Sequence, residues 1–128
     1  MTKKNRIYTL EIAGLIRELP IIPISDEVSI ASFVILGDTE LVCKVAPMLI
    51  EKLPAFDVLV TAEAKGIPLA FEVSRILNMN YIVARKSVKA YMDNALTEEL
   101  HSITTQRKQI VCLDGDDVAE IKGKRIVI

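Results

Sequence analysis

The sequence has no tryptophan, one histidine, two cysteines and few aromatics, and its charges nearly cancel, with Lys+Arg 16 against Asp+Glu 17. Each scarcity excludes something. A lone histidine and two cysteines, Cys43 and Cys112, without metal-ligand spacing leave no zinc site. With no export signal, both thiols are expected to be reduced core residues of a cytoplasmic protein. The missing basic excess removes the case for a general nucleic-acid or membrane-surface binder, because such proteins need cations to meet phosphates. There is also no long apolar run near the start: Glu11, Arg17 and Glu18 interrupt the first apolar stretch, so neither a signal peptide nor a membrane span fits. What is present, 51% hydrophobic and 26% charged residues over 128 positions, describes one globular domain large enough to bury a core.

Apolar residues at Ile12, Leu15, Ile16 and Leu19 fall on one helix face and predict a helix over Thr9 to Leu19, ended by Pro20. Ile21 to Ile24 and Ile30 to Leu36 are β-branched runs separated by the polar Ser25-Asp26-Glu27, and read as extended segments. Asp38 is a suitable N-cap for a second helix whose buried side is Leu41, Val45, Met48, Leu49 and Leu53, with Pro47 expected to kink or break it.

From Asp57 the pattern changes. Asp57 to Thr61 and Tyr81 to Ala84 are short unbroken apolar runs, the mark of strands buried on both faces, and a helical stretch from Pro68 to Leu77 lies between them. Strand, loop, helix, strand is a βαβ unit, so the class is α/β with a parallel sheet flanked by helices. Arg85 to Leu100 is polar without a clear period and reads as a long mobile loop. Ile103 to Thr105 and Gln109 to Leu113 look like the arms of a strand pair, and Arg125 to Ile128 like the start of another buried strand. Asp114, Asp116 and Asp117 form an acidic cluster whose Asp-Gly spacing fits a hairpin turn better than a metal site.

The segment Val60-Thr-Ala-Glu-Ala-Lys-Gly-Ile-Pro-Leu69 carries the chemistry. It lies where a parallel strand ends and a helix begins, the crevice in which α/β folds bind ligands. Lys65 supplies a cation, Gly66 permits close backbone approach, and Pro68 suits a first helical turn. Free amides at the helix start would face an anion. Spacing alone leaves two readings level, a phosphate site and a plain βα turn with a surface lysine.

Glu63-Ala64-Lys65-Gly66, followed by Arg85-Lys86 at the end of the next strand, by Thr104-Thr105 through Leu113, and by Lys122-Gly-Lys-Arg-hydrophobic, resembles type I phosphoribosyltransferases, most closely the adenine and related purine enzymes. The resemblance covers residues 57–128 well and 1–56 loosely, and divides the single domain into an N-terminal helix or hood segment, 1–56, and a partial core, 57–128. It implies that Ala62, Glu63, Ala64, Lys65 and Gly66 form the pyrophosphate loop for phosphoribosyl pyrophosphate. Arg85, Lys86 and Lys89 would contact the same anion, and relatives often hold a cis peptide at the position of Glu63–Ala64.

The implied reaction is Mg²⁺-assisted displacement at C1 of the ribose by a purine nitrogen, releasing pyrophosphate, with Lys86 to Thr104 closing over the site. Phe33 falls where relatives stack an aromatic ring on the base, although core packing is its plainer role. Tyr91 and His101 are read as incidental loop residues. Relatives are commonly homodimers, and small-molecule substrates rather than nucleic acid or membrane are the expected partners.

The family's acidic pair and Ser/Thr-Gly-Gly loop, which hold ribose and its phosphate, would follow Ile128. Residues 1–128 are therefore expected to be truncated before that motif and inactive alone. A non-catalytic purine or nucleotide sensor built on the same fold is the alternative.

Overall fold

Ala13 and Gly14 decide how the chain begins. Both have positive φ, 52° and 74°, as a two-residue turn of right-handed twist requires. They join β1 (Ile7–Ile12) to β2 (Leu15–Pro23) as an antiparallel hairpin with Ile12 opposite Leu15. The helix expected over Thr9 to Leu19 is therefore not formed. Along β2 every second residue, Leu15, Arg17, Leu19 and Ile21, is turned inward, which is the period of a strand. Of the positions that fit a helix face, Ile12, Leu15 and Leu19 also fit two strands folded about Ala13-Gly14. A third strand, β3 (Ser29–Ala31), completes this sheet. The computed structural model describes residues 6–102 and 105–128.

Asp38 caps α1 (Thr39–Lys52) as expected, accepting the Leu41 amide at 3.1 Å. The same carboxylate receives Arg17 from the hairpin through Nε at 2.6 Å and Nη2 at 3.0 Å, and Glu40 accepts Nη2 at 3.0 Å. One aspartate thus starts the helix and ties the N-terminal sheet to it. Pro47 does not break α1, which runs through it. Pro47 and Cys43, whose carbonyl loses its partner, are both exposed, so water can take that carbonyl. Leu41 and Ala46 are fully buried on the opposite side; burial of a leucine of this kind is worth about 2 kcal/mol.

The central sheet has the order β5-β4-β8, all parallel, with β4 (Val58–Ala62) in the middle, β5 (Tyr81–Ala84) on one side and β8 (Ile126–Val127) on the other. Helix α2 (Ile67–Leu77) crosses from β4 to β5 and ends at Asn78, which is left-handed at φ 51°. Alternation along β4 supplies two cores. Leu59 packs with Ala46, Ala70 and Val73 under the helices, while Val58 and Val60 join Ile82 on the other face. That is why β4 reads as an unbroken apolar run.

Beyond β5 the structure corrects two expectations. Residues Leu96–Ser102 form β6, paired antiparallel with β7 (Thr105–Leu113), so the final part of the expected mobile loop, from Leu96, is a hairpin arm. Ile103 and Thr104 lie outside the described residues. Asp114-Gly115-Asp116-Asp117 is the start of a short helix, α3 (Gly115–Ile121), and not a hairpin turn. Carboxylates suit that position because the first helical amides are unpaired and the dipole is positive there.

Asp57 fastens the last strand. Its carboxylate accepts the Arg125 amide at 2.9 Å, Nε at 3.1 Å and Nη2 at 3.0 Å. The Arg125 side chain, then its amide, pull the Asp57 carboxyl from its ordinary 3.8 down to about 2. A carboxyl with a depressed folded value stabilises the fold above its unfolded value and loses that contribution as pH falls through the folded one. Asp57→Asn is therefore expected to lower thermal stability at pH 7. It should also flatten the fall in stability between roughly pH 4 and pH 2, as read from melting curves across that range.

Candidate functional site

The register of β4 and β5 sets Ala62 opposite Ala84. Two parallel strands that end abreast release their next residues side by side, and the Glu63 amide extends the pairing by donating to the Ala84 carbonyl at 3.0 Å. Glu63 to Gly66 then turn into α2. The Glu63–Ala64 peptide is cis, as the resemblance implied. Among the described residues the backbone amides of Ala64, Lys65 and Gly66 make no hydrogen bond, and Pro68 follows in the first turn without an N–H. Three consecutive amides and the positive end of an eleven-residue helix are therefore open to an anion. Gly66 has ordinary φ, so its role is space: a Cβ there would collide with Thr61 Oγ1.

Arg85 is the most constrained side chain of the group. Its amide donates to the Cys112 carbonyl at 2.8 Å and its carbonyl accepts the Cys112 amide at 2.8 Å, clamping the end of β5 to β7. Its Nε donates to Glu63 Oε1 at 3.2 Å, and the same oxygen accepts the Lys86 amide at 2.6 Å. Its Nη1 donates to the Tyr91 hydroxyl at 2.9 Å. The Lys86 amide first, and the Arg85 guanidinium after it, hold the Glu63 carboxyl below the usual range, with Lys89 adding its charge. Glu63 is thus an anion at neutral pH.

The structure brings Glu63, Arg85 and Lys86 into direct contact and places Lys89 within reach of their field. Lys65 and Lys86 are exposed, and Lys89 Nζ donates to Ser87 Oγ at 2.6 Å. Tyr91, read from the sequence as incidental, joins the group through its hydroxyl. Its signal, an aromatic six residues after an arginine in a polar stretch, is too common to single out. The loop bearing it is pinned farther on, where Asp114 Oδ1 accepts the Asp93 amide at 3.0 Å and the Gly115 amide donates to the Asp93 carbonyl at 2.9 Å. Gly115 is required there, since a Cβ would come within 2.5 Å of that carbonyl.

Phe33 is not a core residue: it is 38% exposed and lines a recess with Arg17, Pro20 and Asp38 that includes no residue of the loop. A hollow of about 590 Å³ beside Asn78 and Tyr81 lies at the beginning of β5. That is the wrong end of a parallel sheet for ligand binding, so the geometry of the strand ends outweighs cavity size here. Among the described residues no three acidic, histidine or cysteine side chains form a cage for a metal ion. Within the acidic cluster Asp117 is raised above its ordinary value, by partial burial and then by its acidic neighbours, chiefly Asp114. No helix among the described residues is long and apolar enough to cross a membrane.

No family model matches the chain. Adenine phosphoribosyltransferase from Thermoanaerobacter pseudethanolicus has a similar structure, with a TM-score of 0.59, 17% sequence identity, and coverage of 77% of this chain and 58% of that one. The fold is of the type I phosphoribosyltransferase kind. This chain spans a little under three-fifths of the length of that protein. The hydrogen bonds of Glu63 with Arg85 and with the Lys86 amide join the loop after β4 to the end of β5.

Because Gly66 makes room for Thr61, Gly66→Ala is expected to displace the loop and lower the melting temperature. Thr61→Ala in the same chain should recover most of that loss. Thermal melts of the single and double variants check this, and the loss should remain undiminished if the clash is not its cause.

Proposed function

We propose that the chain forms the diphosphate-binding part of a purine phosphoribosyltransferase, with phosphoribosyl pyrophosphate as one substrate and a purine, adenine first, as the other. The observation that carries this reading is the pairing of three open amides at Ala64 to Gly66 with Arg85 and Lys86 at the adjacent strand end. Amides, a helix start and guanidinium and ammonium groups converge where a large anion needs them. The plain-turn alternative does not account for an arginine held by three separate partners beside the loop.

In the reaction this implies, a purine nitrogen forms a bond to C1 of the ribose as the C1–O bond to the diphosphate breaks; pyrophosphate leaves with the bonding pair, and the purine's N–H proton passes to solvent. Lys65, Arg85 and Lys86 would meet the charge growing on the leaving oxygens, with little reorganisation because Arg85 is already fixed. The described residues do not build a cage for Mg²⁺. The ion is therefore assigned to the substrate complex, where the diphosphate supplies its own oxygens, and no step here depends on it. Loop 86–95, with Tyr91 touching Arg85, is assigned as the covering element; Phe33, whose recess shares no residue with the loop, is left without a role in base binding.

Titration calorimetry with pyrophosphate tests the reading. The wild-type chain should bind it. Arg85→Ala should weaken binding roughly 10- to 100-fold, the range of one lost charge-assisted contact, and Lys65→Ala about tenfold or less because that side chain is flexible and solvated. No binding, or equal binding by Arg85→Ala, would contradict the assignment.

A further inference from the structure

An anion site with an ionised carboxylate in its wall poses a physical question, because Glu63 repels the ligand that Lys65, Arg85 and Lys86 attract. We propose that Glu63 is a positioning residue, which fixes the Arg85 guanidinium and the Lys86 backbone in the geometry that receives a diphosphate. The proposal rests on the reading of this crevice as an anion site and adds to it the residue that makes the site rigid.

Three observations support it. Glu63 leaves the end of β4 and Arg85 the end of β5, so their contact bridges two strands where the hydrogen-bonded ladder stops. A single oxygen, Oε1, accepts both the Lys86 amide and Arg85 Nε, which fixes the backbone after Arg85 and the side chain of Arg85 together. The remaining side-chain restraint on Arg85 is the Tyr91 hydroxyl, on a loop residue that is 66% exposed and so offers a weak anchor. Without Glu63 the guanidinium would sample several rotamers, and binding would have to order it. Arg85 Nη2 has no hydrogen bond among the described residues, which leaves it available while Nε and Nη1 hold the group in place.

Two effects of opposite sign compete. Removing the carboxylate removes a repulsion and should tighten binding of an anion. Removing the positioning contact should weaken it. Glu63 is already paired with Arg85, so the field of the pair at the ligand is much reduced, and the positioning effect dominates.

The test is a double-mutant cycle read as pyrophosphate affinity, with melting curves for each variant. Glu63→Gln keeps an oxygen for the Lys86 amide but loses the charge that holds Arg85. It should weaken binding about fivefold in the wild-type background and have no weakening effect in an Arg85→Ala background. Tighter binding by Glu63→Gln, or the same loss with and without Arg85, overturns the proposal while leaving the anion site intact. Absence of pyrophosphate binding by the wild-type chain overturns both. Should Glu63→Gln melt below the assay temperature, Glu63→Asp, which keeps the charge but shortens the arm, carries the same test and the same expected loss.

Discussion

Most of what this molecule can do depends on the parallel pairing of β4 with β5, in a register that sets Ala62 beside Ala84. Two strands ending level with each other deliver a loop and a basic dipeptide to one place, and α2 can begin there only because the chain turns within Glu63 to Gly66. Gly66 is needed because the loop folds back on Thr61 of β4, and Arg85 is clamped on its other side to Cys112 of β7. A slip of one residue in the register would turn alternate apolar side chains of β4 to the wrong core and also separate Glu63 from Arg85.

The elements around this register act as its supports. Under the helices, Leu59, Ala46, Ala70 and Val73 hold β4 from one face, and Ile82 with Val58 and Val60 holds it from the other. Asp57 and Arg125 close the far side by fastening β8. The N-terminal hairpin belongs to a different sheet and reaches the core through Arg17, Asp38 and Glu40. That ion pair lies at the start of α1, and farther along the helix Ile12 and Ala13 of the hairpin line a recess with Val45, Met48 and Leu49.

Legibility in the sequence followed burial. β4, α2 and β5 were readable nearly to the residue, because strands buried on both faces leave short unbroken apolar runs and helices leave a single apolar stripe. The N-terminal hairpin was not, because Ile12, Leu15 and Leu19 satisfy a helical and a strand pattern together, while Ile16, which fits only the helix, is exposed on β2. The deciding signals, the turn at Ala13-Gly14 and the alternation from Tyr8 to Ile12, are local. β6 was hidden for another reason: Leu96-Thr-Glu-Glu-Leu-His101 is exposed, and β6 takes its strand form from pairing with β7. In the site itself, Lys65, Arg85 and Lys86 were legible as charges at strand ends. The function of Glu63 as their organiser and the contact of Tyr91 were not, since both depend on which atoms meet across twenty residues and more, or across a loop.

The central claim is that the ends of β4 and β5 form one anion site, and its most direct measurement is a residue-resolved titration of backbone amide resonances with pyrophosphate. The amides of Ala64, Lys65, Gly66 and Lys86 should shift together and saturate at one ligand concentration, while those around Asn78 to Tyr81 stay in place. Shifts confined to the hollow beside Asn78, or no saturable shift at the loop, would contradict the account and return Lys65 to a solvated turn.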